Sequence, residues 1–334
     1  MADLRFFQVA LNTVNMAATL RFYSDIFGFA NAGGQAAWGD VMRVQGLDPA
    51  GQLLCWFMVG RHPRIQFEMF QHSAPDPRPQ PADWSPADHG WVRVGIAVSD
   101  FDAVLARLAD RAIALLGPIG QSHALRHCAV RDPFSGIIVE IWEDGPGLPG
   151  GSHPRDNGYD PQIMYVTCSV ADIAAARHFY ANILGLPILP LDTLHQPADE
   201  ALWGLEGAAR EGFVVDGGNG LVEIVEYTSP RGRDRPEGWL LSDQGFMNVG
   251  FFSTSTVVIQ AIVDRLDADG TPPLWLTRGS GVLGAYILHR DREVELLSCP
   301  AEMQAHLGFT PLGPFGRSDL VQMIERTDLP ATSP

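Results

Sequence analysis

Apolar and polar positions change period early in this chain. Phe6 to Val14 reads as a strand, and Met16, Leu20, Tyr23 and Phe27 then recur at helical spacing up to Gly28. Strand-like stretches at Asp40–Val44, Leu53–Val59 and Ile65–Phe70 follow, separated by Gly and Pro turns, so the first unit is βαβββ. A polar, proline-rich stretch from Ser73 to His89 leads to a second unit: strand Trp91–Val98, helix Asp100–Ala109 and a hairpin turning at Asp132–Gly136. Residues 144–161 have the Gly, Pro and Asp content of an interdomain linker. Two further units, near 163–227 and 246–298 and joined by the loop Thr228–Gly245, repeat the plan, and a Pro- and Gly-rich tail expected to end in disorder follows about residue 307.

The halves also repeat in detail. RFYSDIFGF (Arg21 to Phe29) is answered by HFYANILGL (His178 to Leu186). The final strands of the four units centre on Glu68, Glu140, Glu223 and Glu295, with Glu68 to Glu223 and Glu140 to Glu295 each spanning 155 residues. Strands related by pseudo-symmetry bring such carboxylates together around a cavity, so the question of function becomes what those carboxylates hold.

Four βαβββ units, FY on the first helix of each half and a Glu on each last strand resemble the vicinal oxygen chelate superfamily. That group includes glyoxalase I, type I extradiol dioxygenases, fosfomycin-resistance proteins and bleomycin-binding proteins. The resemblance covers roughly Leu4 to Ser298. It implies an α+β fold of four βαβββ modules in two tandem half-open barrel domains, at 1–145 and 162–307, with a linker at 146–161 and a tail at 308–334. It also implies that metal-ligand positions lie on the first and last strands of both units in a barrel. Gln8 and Tyr165, each fifteen residues before the Tyr of FY, match the first-strand position, and Arg93 and Asn248 match it in the second units. With consecutive units sharing a barrel, the first cavity is Gln8, Glu68, Arg93 and Glu140, and the second is Tyr165, Glu223, Asn248 and Glu295.

Neither set holds a histidine. Extradiol cleavage needs an open-sided iron or manganese held by two imidazoles and a carboxylate, so the ring-cleaving reading is disfavoured. Arg93 cannot deprotonate to become a ligand, and its guanidinium is expected to reach Glu68 or Glu140 in place of a cation. That arrangement reads as a buried ion pair left after metal loss, as a substrate anchor, or as a metal site reduced to Gln8 and two carboxylates. In the second cavity Glu223 and Glu295 face each other without a built-in cation. Either one stays protonated and the pair moves a proton, or Glu223, Glu295 and Asn248 recruit a hard ion such as Mg2+ or Ca2+. The cofactor is therefore a divalent ion on oxygen ligands, or none. Catalysis is expected at Tyr165, Glu223, Asn248 and Glu295, with Gln8, Glu68, Arg93, Glu140 and His127 binding substrate or pairing charges. His127 shares the inward face with Glu140, His72 is expected to emerge at its strand end, and His178 is expected on the surface.

Composition narrows the partners. A formal charge of −16 and a pI near 4.9 argue against nucleic acid or an anionic membrane, leaving a small molecule. Trp38, Trp56, Phe57, Trp142, Trp203, Phe213, Trp275 and Tyr286 lie in or near the strands, so that molecule is expected to be apolar or aromatic. Four scattered cysteines, no signal pattern and no apolar run of about 20 residues make the cytoplasm the default compartment. The expected activity is non-oxidative, of isomerase or lyase type, by carboxylate acid-base chemistry. The alternative is a binding protein of bleomycin-resistance type. Oligomeric state is open.

Overall fold

A computed structural model describes residues 3–74, 76–288, 292–304 and 307–312; the chain beyond residue 312, including most of the expected tail, lies outside the described residues. The first unit is β1 (Arg5–Asn12), α1 (Met16–Phe22), β2 (Ala30–Trp38), α2 (Asp40–Val44), β3 (Gln52–Val59) and β4 (Gln66–His72). Asn15 caps α1 by accepting from the Ala18 amide at 3.0 Å, a π-helical turn at Tyr23–Phe27 extends it, and Gly28 at φ 90° ends it. The same π turn recurs at His178–Ile183, so the repeated FY sequence adopts a repeated backbone.

Two elements differ from expectation. Asp40–Val44, read as a strand, is the short helix α2, turned in by Gly39 at φ 74° and burying Met42. The missing strand is β2, whose ANAGGQAAW sequence lacks the alternation that marks a half-buried strand; pairing with β3 makes it one.

The second unit is β5 (Gly90–Val98), α3 (Phe101–Asp110), β6 (Gly120–Ser122), β7 (Leu125–Arg131) and β8 (Ile138–Glu143). The third is β9 (Gln162–Ser169), α4 (Ile173–Arg177), β10 (Ile188–Leu189), β11 (Ala209–Asp216) and β12 (Leu221–Ser229), with 3-10 turns at Leu191–Thr193 and Pro197–Trp203. The fourth is β13 (Gly245–Phe252), α5 (Thr256–Asp269), β14 (Trp275–Gly279), β15 (Val282–Leu288) and β16 (Glu293–Ser298), followed by the single turn α6 (Ala301–Gln304).

These sixteen strands form two eight-stranded sheets, ordered β14-β15-β16-β13-β1-β4-β3-β2 and β10-β11-β12-β9-β5-β8-β7-β6. The fold is α+β with four βαβββ modules, as expected. The partnership of the modules is not. Unit one shares a sheet with unit four, through antiparallel pairing of β1 with β13, and unit two shares a sheet with unit three, through β5 and β9. The Gly- and Pro-rich stretch at 144–161 therefore joins two strands of one sheet, while the loops at 73–89 and 230–244 carry the chain between sheets. A single apolar core takes residues from both sheets and from α1, α3 and α5, including Val9, Phe67, Val94, Phe101, Ile224 and Ile262. The opposite faces of the sheets are left to hold the glutamates. The four cysteines are buried and form no disulfide, and no helix among the described residues is long and apolar enough to cross a membrane.

Candidate active site

The exchanged partnership redistributes the expected site residues. Glu68 and Glu295 come together with Gln8 and Asn248 on the first sheet, and Glu140 and Glu223 come together with Arg93 and Tyr165 on the second. The two quartets read from consecutive units do not exist as cavities. Arg93, expected on Glu68 or Glu140, instead donates to Glu223 of the other half at 2.8 Å.

On the first sheet, Gln8 lies opposite Gly250, which in turn registers with Glu295, and Ala10 registers with Glu68 on β4. The Gln8 side-chain amide donates to Glu68 and, at 3.2 Å, to Glu295, so one N–H2 group is shared by two carboxylates. Cys55 on β3 donates its thiol to the other Glu68 oxygen at 3.1 Å. Asn248 donates to the Tyr286 hydroxyl at 2.8 Å, while its own Oδ1 is buried without a hydrogen-bond partner among the described residues. Among the described residues no cation acts on either carboxyl. Burial, and then the Glu295 charge, push the Glu68 carboxyl well above the ordinary carboxylate range, and burial raises Glu295 as well. Both nevertheless remain partly exposed. Apolar side chains surround them: Phe57 lies opposite Glu68 and Tyr286 opposite Glu295, and both belong to one cluster with Phe70, Trp239, Trp275 and Met247. Gly308, near the C-terminal end of the described chain, packs against Phe57.

The second sheet answers the same pair of glutamates with built-in cations. Glu140 and Glu223 are fully buried and bridged by His195, whose Nδ1 is 2.8 Å from Glu223 and whose Nε2 is 2.9 Å from Glu140. His127 contacts Glu140 at 2.5 Å and Asp199 at 3.4 Å, and Arg210 pairs with Glu200. Thr167 and Arg93 each donate to Glu223 at 2.8 Å, Tyr165 donates to Glu140, and the Arg93 guanidinium lies 3.7 Å over the Trp203 ring. Tyr165 reaches this position because Gly95 faces it: a Cβ there would stand 1.9 Å from the tyrosine ring. Four acids (Asp199, Glu140, Glu200, Glu223) meet four bases (Arg93, Arg210, His127, His195), a balanced cluster. Burial alone would raise the Glu140 carboxyl, but His195 and His127 outweigh it and hold it at about 2. Burial would likewise depress His195, yet Glu223 and Glu140 lift it to about 9, and Asp199 and Glu140 lift His127 to about 9.

His127 thus takes the inward position expected of it. His72 does not emerge: it is buried, 2.7 Å from Gln45 Oε1. His178 is on the surface, paired with Asp269 at 2.9 Å. Sequence reading missed His195, Arg210, Asp199 and Glu200. They lie in or beside the stretch that replaces the first half's long β2 with 3-10 turns, and nothing in their spacing repeats. The one available signal is the capping box formed by Gln196 and Asp199, which marks a fixed turn start without saying what faces inward.

The model for the Glyoxalase/Bleomycin resistance protein/Dioxygenase superfamily matches residues 5–141. Among solved structures, a putative dioxygenase from Bacillus subtilis superposes with a TM-score of 0.60 at 12% identity, covering 97% of this chain and 96% of its own. Glyoxalase I from Zea mays superposes with a TM-score of 0.58 at 13% identity, covering 91% and 96%. At such identities these likenesses establish the fold alone. No curated protein matches the sequence.

Proposed function

We propose that this chain, whose residues 5–141 match the model for the Glyoxalase/Bleomycin resistance protein/Dioxygenase superfamily, is an enzyme of non-oxidative proton transfer working at Glu68 and Glu295. The observation that carries this is the contrast between the two pairs of glutamates: one is neutralised and sealed, and the other is uncompensated among the described residues and partly exposed beside an apolar cluster. Two carboxyls with raised affinity for protons hold about one proton between them near neutrality, so one serves as base and the other as acid. The substrate class that fits is a small apolar or aromatic molecule with neighbouring oxygens, isomerised or cleaved by moving a proton at the carbon between them.

The same four residues fit a divalent ion. Among the described residues the two carboxylates lack a cation, the buried Asn248 Oδ1 lacks a partner, and Gln8 Oε1 accepts only from Gln66 at 3.1 Å. Gln8, Glu68, Asn248 and Glu295 would hold it, and an all-oxygen set suits a hard ion. No group of three or more His, Cys, Asp or Glu side chains stands ready for a metal among the described residues, so the amides have to contribute. When bound, such an ion would polarise the substrate oxygens. Glu68 and Glu295 would still handle the proton, Gln8 would keep them at a fixed separation, and the aromatic side chains around them would exclude water.

The test is hydrogen exchange. Hydroxy- and oxo-substituted aromatic and aliphatic compounds are incubated in D2O with chelated protein and with protein given Mg2+ or Mn2+, and deuterium entering a C–H position is followed by NMR. Exchange in the wild type, lost in both Glu68→Gln and Glu295→Gln, supports the proposal. Equal exchange by either folded variant refutes it, and a compound that binds tightly without exchange favours a sequestering protein.

A further inference from the structure

The two loops that carry the chain between sheets are themselves a pseudo-symmetric pair. Arg78 and Arg233, Trp84 and Trp239, Asp88 and Asp243, and Trp91 and Phe246 are each 155 residues apart. The pairing is reciprocal: Arg78 binds Asp243 at 2.5 Å, and Arg233 binds Asp88 at 2.7 Å. Between the loops lies a cavity of about 480 Å3, with Trp84, Trp91, Trp239 and Phe246 in its lining. None of the four glutamates lines it, and it meets the apolar cluster beside Glu68 and Glu295 only at Trp239.

We propose that this cavity is a second ligand site, for an uncharged, flat aromatic molecule carrying a hydroxyl or other hydrogen-bond acceptor on its edge. Three features select that class. The volume and the four large rings suit one or two fused aromatic rings laid against indole faces. The arginines of the lining are already engaged: Arg78 with Asp243, Arg233 with Asp88 and also with Asp83 at 2.5 Å, and Arg235 with Glu293 at 2.8 Å while lying 3.8 Å over the Trp239 ring. A charged ligand would have to break one of these pairs to find a counter-ion, so charge is disfavoured on either sign. The symmetry is broken where Gln80 stands opposite its equivalent Arg235. The Gln80 Oε1 is buried against Gly136, outside the lining, while the side-chain N–H2 lies beside Gly245 of the lining, so this residue offers the ligand a donor.

Isothermal titration calorimetry on the full chain at neutral pH, with 2-naphthol and naphthalene-2-sulfonate as probes, tests this. The phenol is expected to bind one per chain and the sulfonate at least about tenfold more weakly, a difference of roughly 1.4 kcal/mol. Gln80→Leu is expected to weaken the phenol about tenfold by removing the amide donor to the phenol oxygen. Trp239→Ala is expected to abolish binding, and Gln80→Trp, which fills the cavity without removing a wall, to do the same should Trp239→Ala not fold. Glu295→Gln is expected to leave binding unchanged. No binding of 2-naphthol, equal binding of the sulfonate, wild-type affinity in Gln80→Trp, or loss in Glu295→Gln overturns the proposal; the last would place the phenol beside the glutamates instead.

Discussion

Replacing Glu295 by Gln should make the protein more stable at alkaline pH, although it removes a group from the site. Both Glu68 and Glu295 accept from the single Gln8 side-chain nitrogen, which places the two acceptor oxygens about 5 Å apart given ordinary hydrogen-bond lengths. At an effective dielectric constant of about 20, two full charges at that separation repel by about 3 kcal/mol. Solvent reaching both groups reduces this to about 2 kcal/mol. The sign follows from linkage. The folded-state affinity of both carboxyls for protons is raised, so the folded chain holds a proton that the unfolded chain has released. Stability from this pair is present below the ordinary carboxyl range near pH 4.3 and is lost as pH rises through the raised folded values. In Glu295→Gln the amide cannot ionise and can donate to Glu68, so that loss disappears. Urea unfolding of chelated protein at pH 5 and pH 8 should therefore show nearly equal stabilities for wild type and variant at the lower pH, and a gain of about 2 kcal/mol for the variant at the higher. Mg2+ or Mn2+ should stabilise the wild type at pH 8 and leave the variant nearly unaffected. Parallel stability curves for the two proteins across this window would show that the carboxylates do not repel, and the acid-base pair would fall with them.

Other outcomes follow from the sealed cluster. Arg93→Ala should cost about 3 kcal/mol in urea unfolding, because it leaves Glu223 buried with His195 and Thr167 but without its guanidinium; a loss below about 1 kcal/mol would mean the pair is not needed. His127 and His195 are raised from 6.5 to about 9, so their contribution is fully present below about pH 6.5 and fades as pH rises through 9; thermal melts from pH 7 to 10 should fall more steeply in the wild type than in His195→Gln. Glu223→Gln should lower the melting temperature yet, where folded, retain the hydrogen-exchange activity that Glu295→Gln loses. The opposite result would move the chemistry to the second sheet.

The modules, their order and their glutamates were legible because each depends on local pattern: a period change at Asn15, a turn at Asp132 to Gly136, a Glu in an apolar strand. Which modules share a sheet was not. An internal repeat of 155 residues equates unit one with unit three and unit two with unit four, and it is satisfied equally by either pairing. Loop composition misled in the same direction, since the Gly-rich stretch at 144–161 lies within one sheet's path while the crossings are made by the proline-rich stretch at 73–89 and its counterpart at 230–244. The repeated strand positions Gln8, Glu68, Arg93, Glu140, Tyr165, Glu223, Asn248 and Glu295 were therefore identifiable, and their partners were not. His195 was hidden for a different reason. It sits in irregular backbone, where no periodicity says which way a side chain points.

The exchanged pairing also explains how one scaffold comes to hold two unlike sites. Units one and four meet at Gln8 and Asn248, two neutral amides, so the glutamates between them keep their charge problem; units two and three meet at Arg93 and Tyr165, and the 3-10 turns of unit three add His195. A buried ion cluster of that kind costs desolvation on every member, and truncating one member strands the others. It is thus hard to dismantle one substitution at a time, and it holds the second sheet together whether or not it does chemistry. The first sheet has no such lock. Its carboxylates must be relieved by a proton, an ion or a substrate, each of which can arrive and leave, and a group whose charge is relieved only by something exchangeable is a group that can turn over.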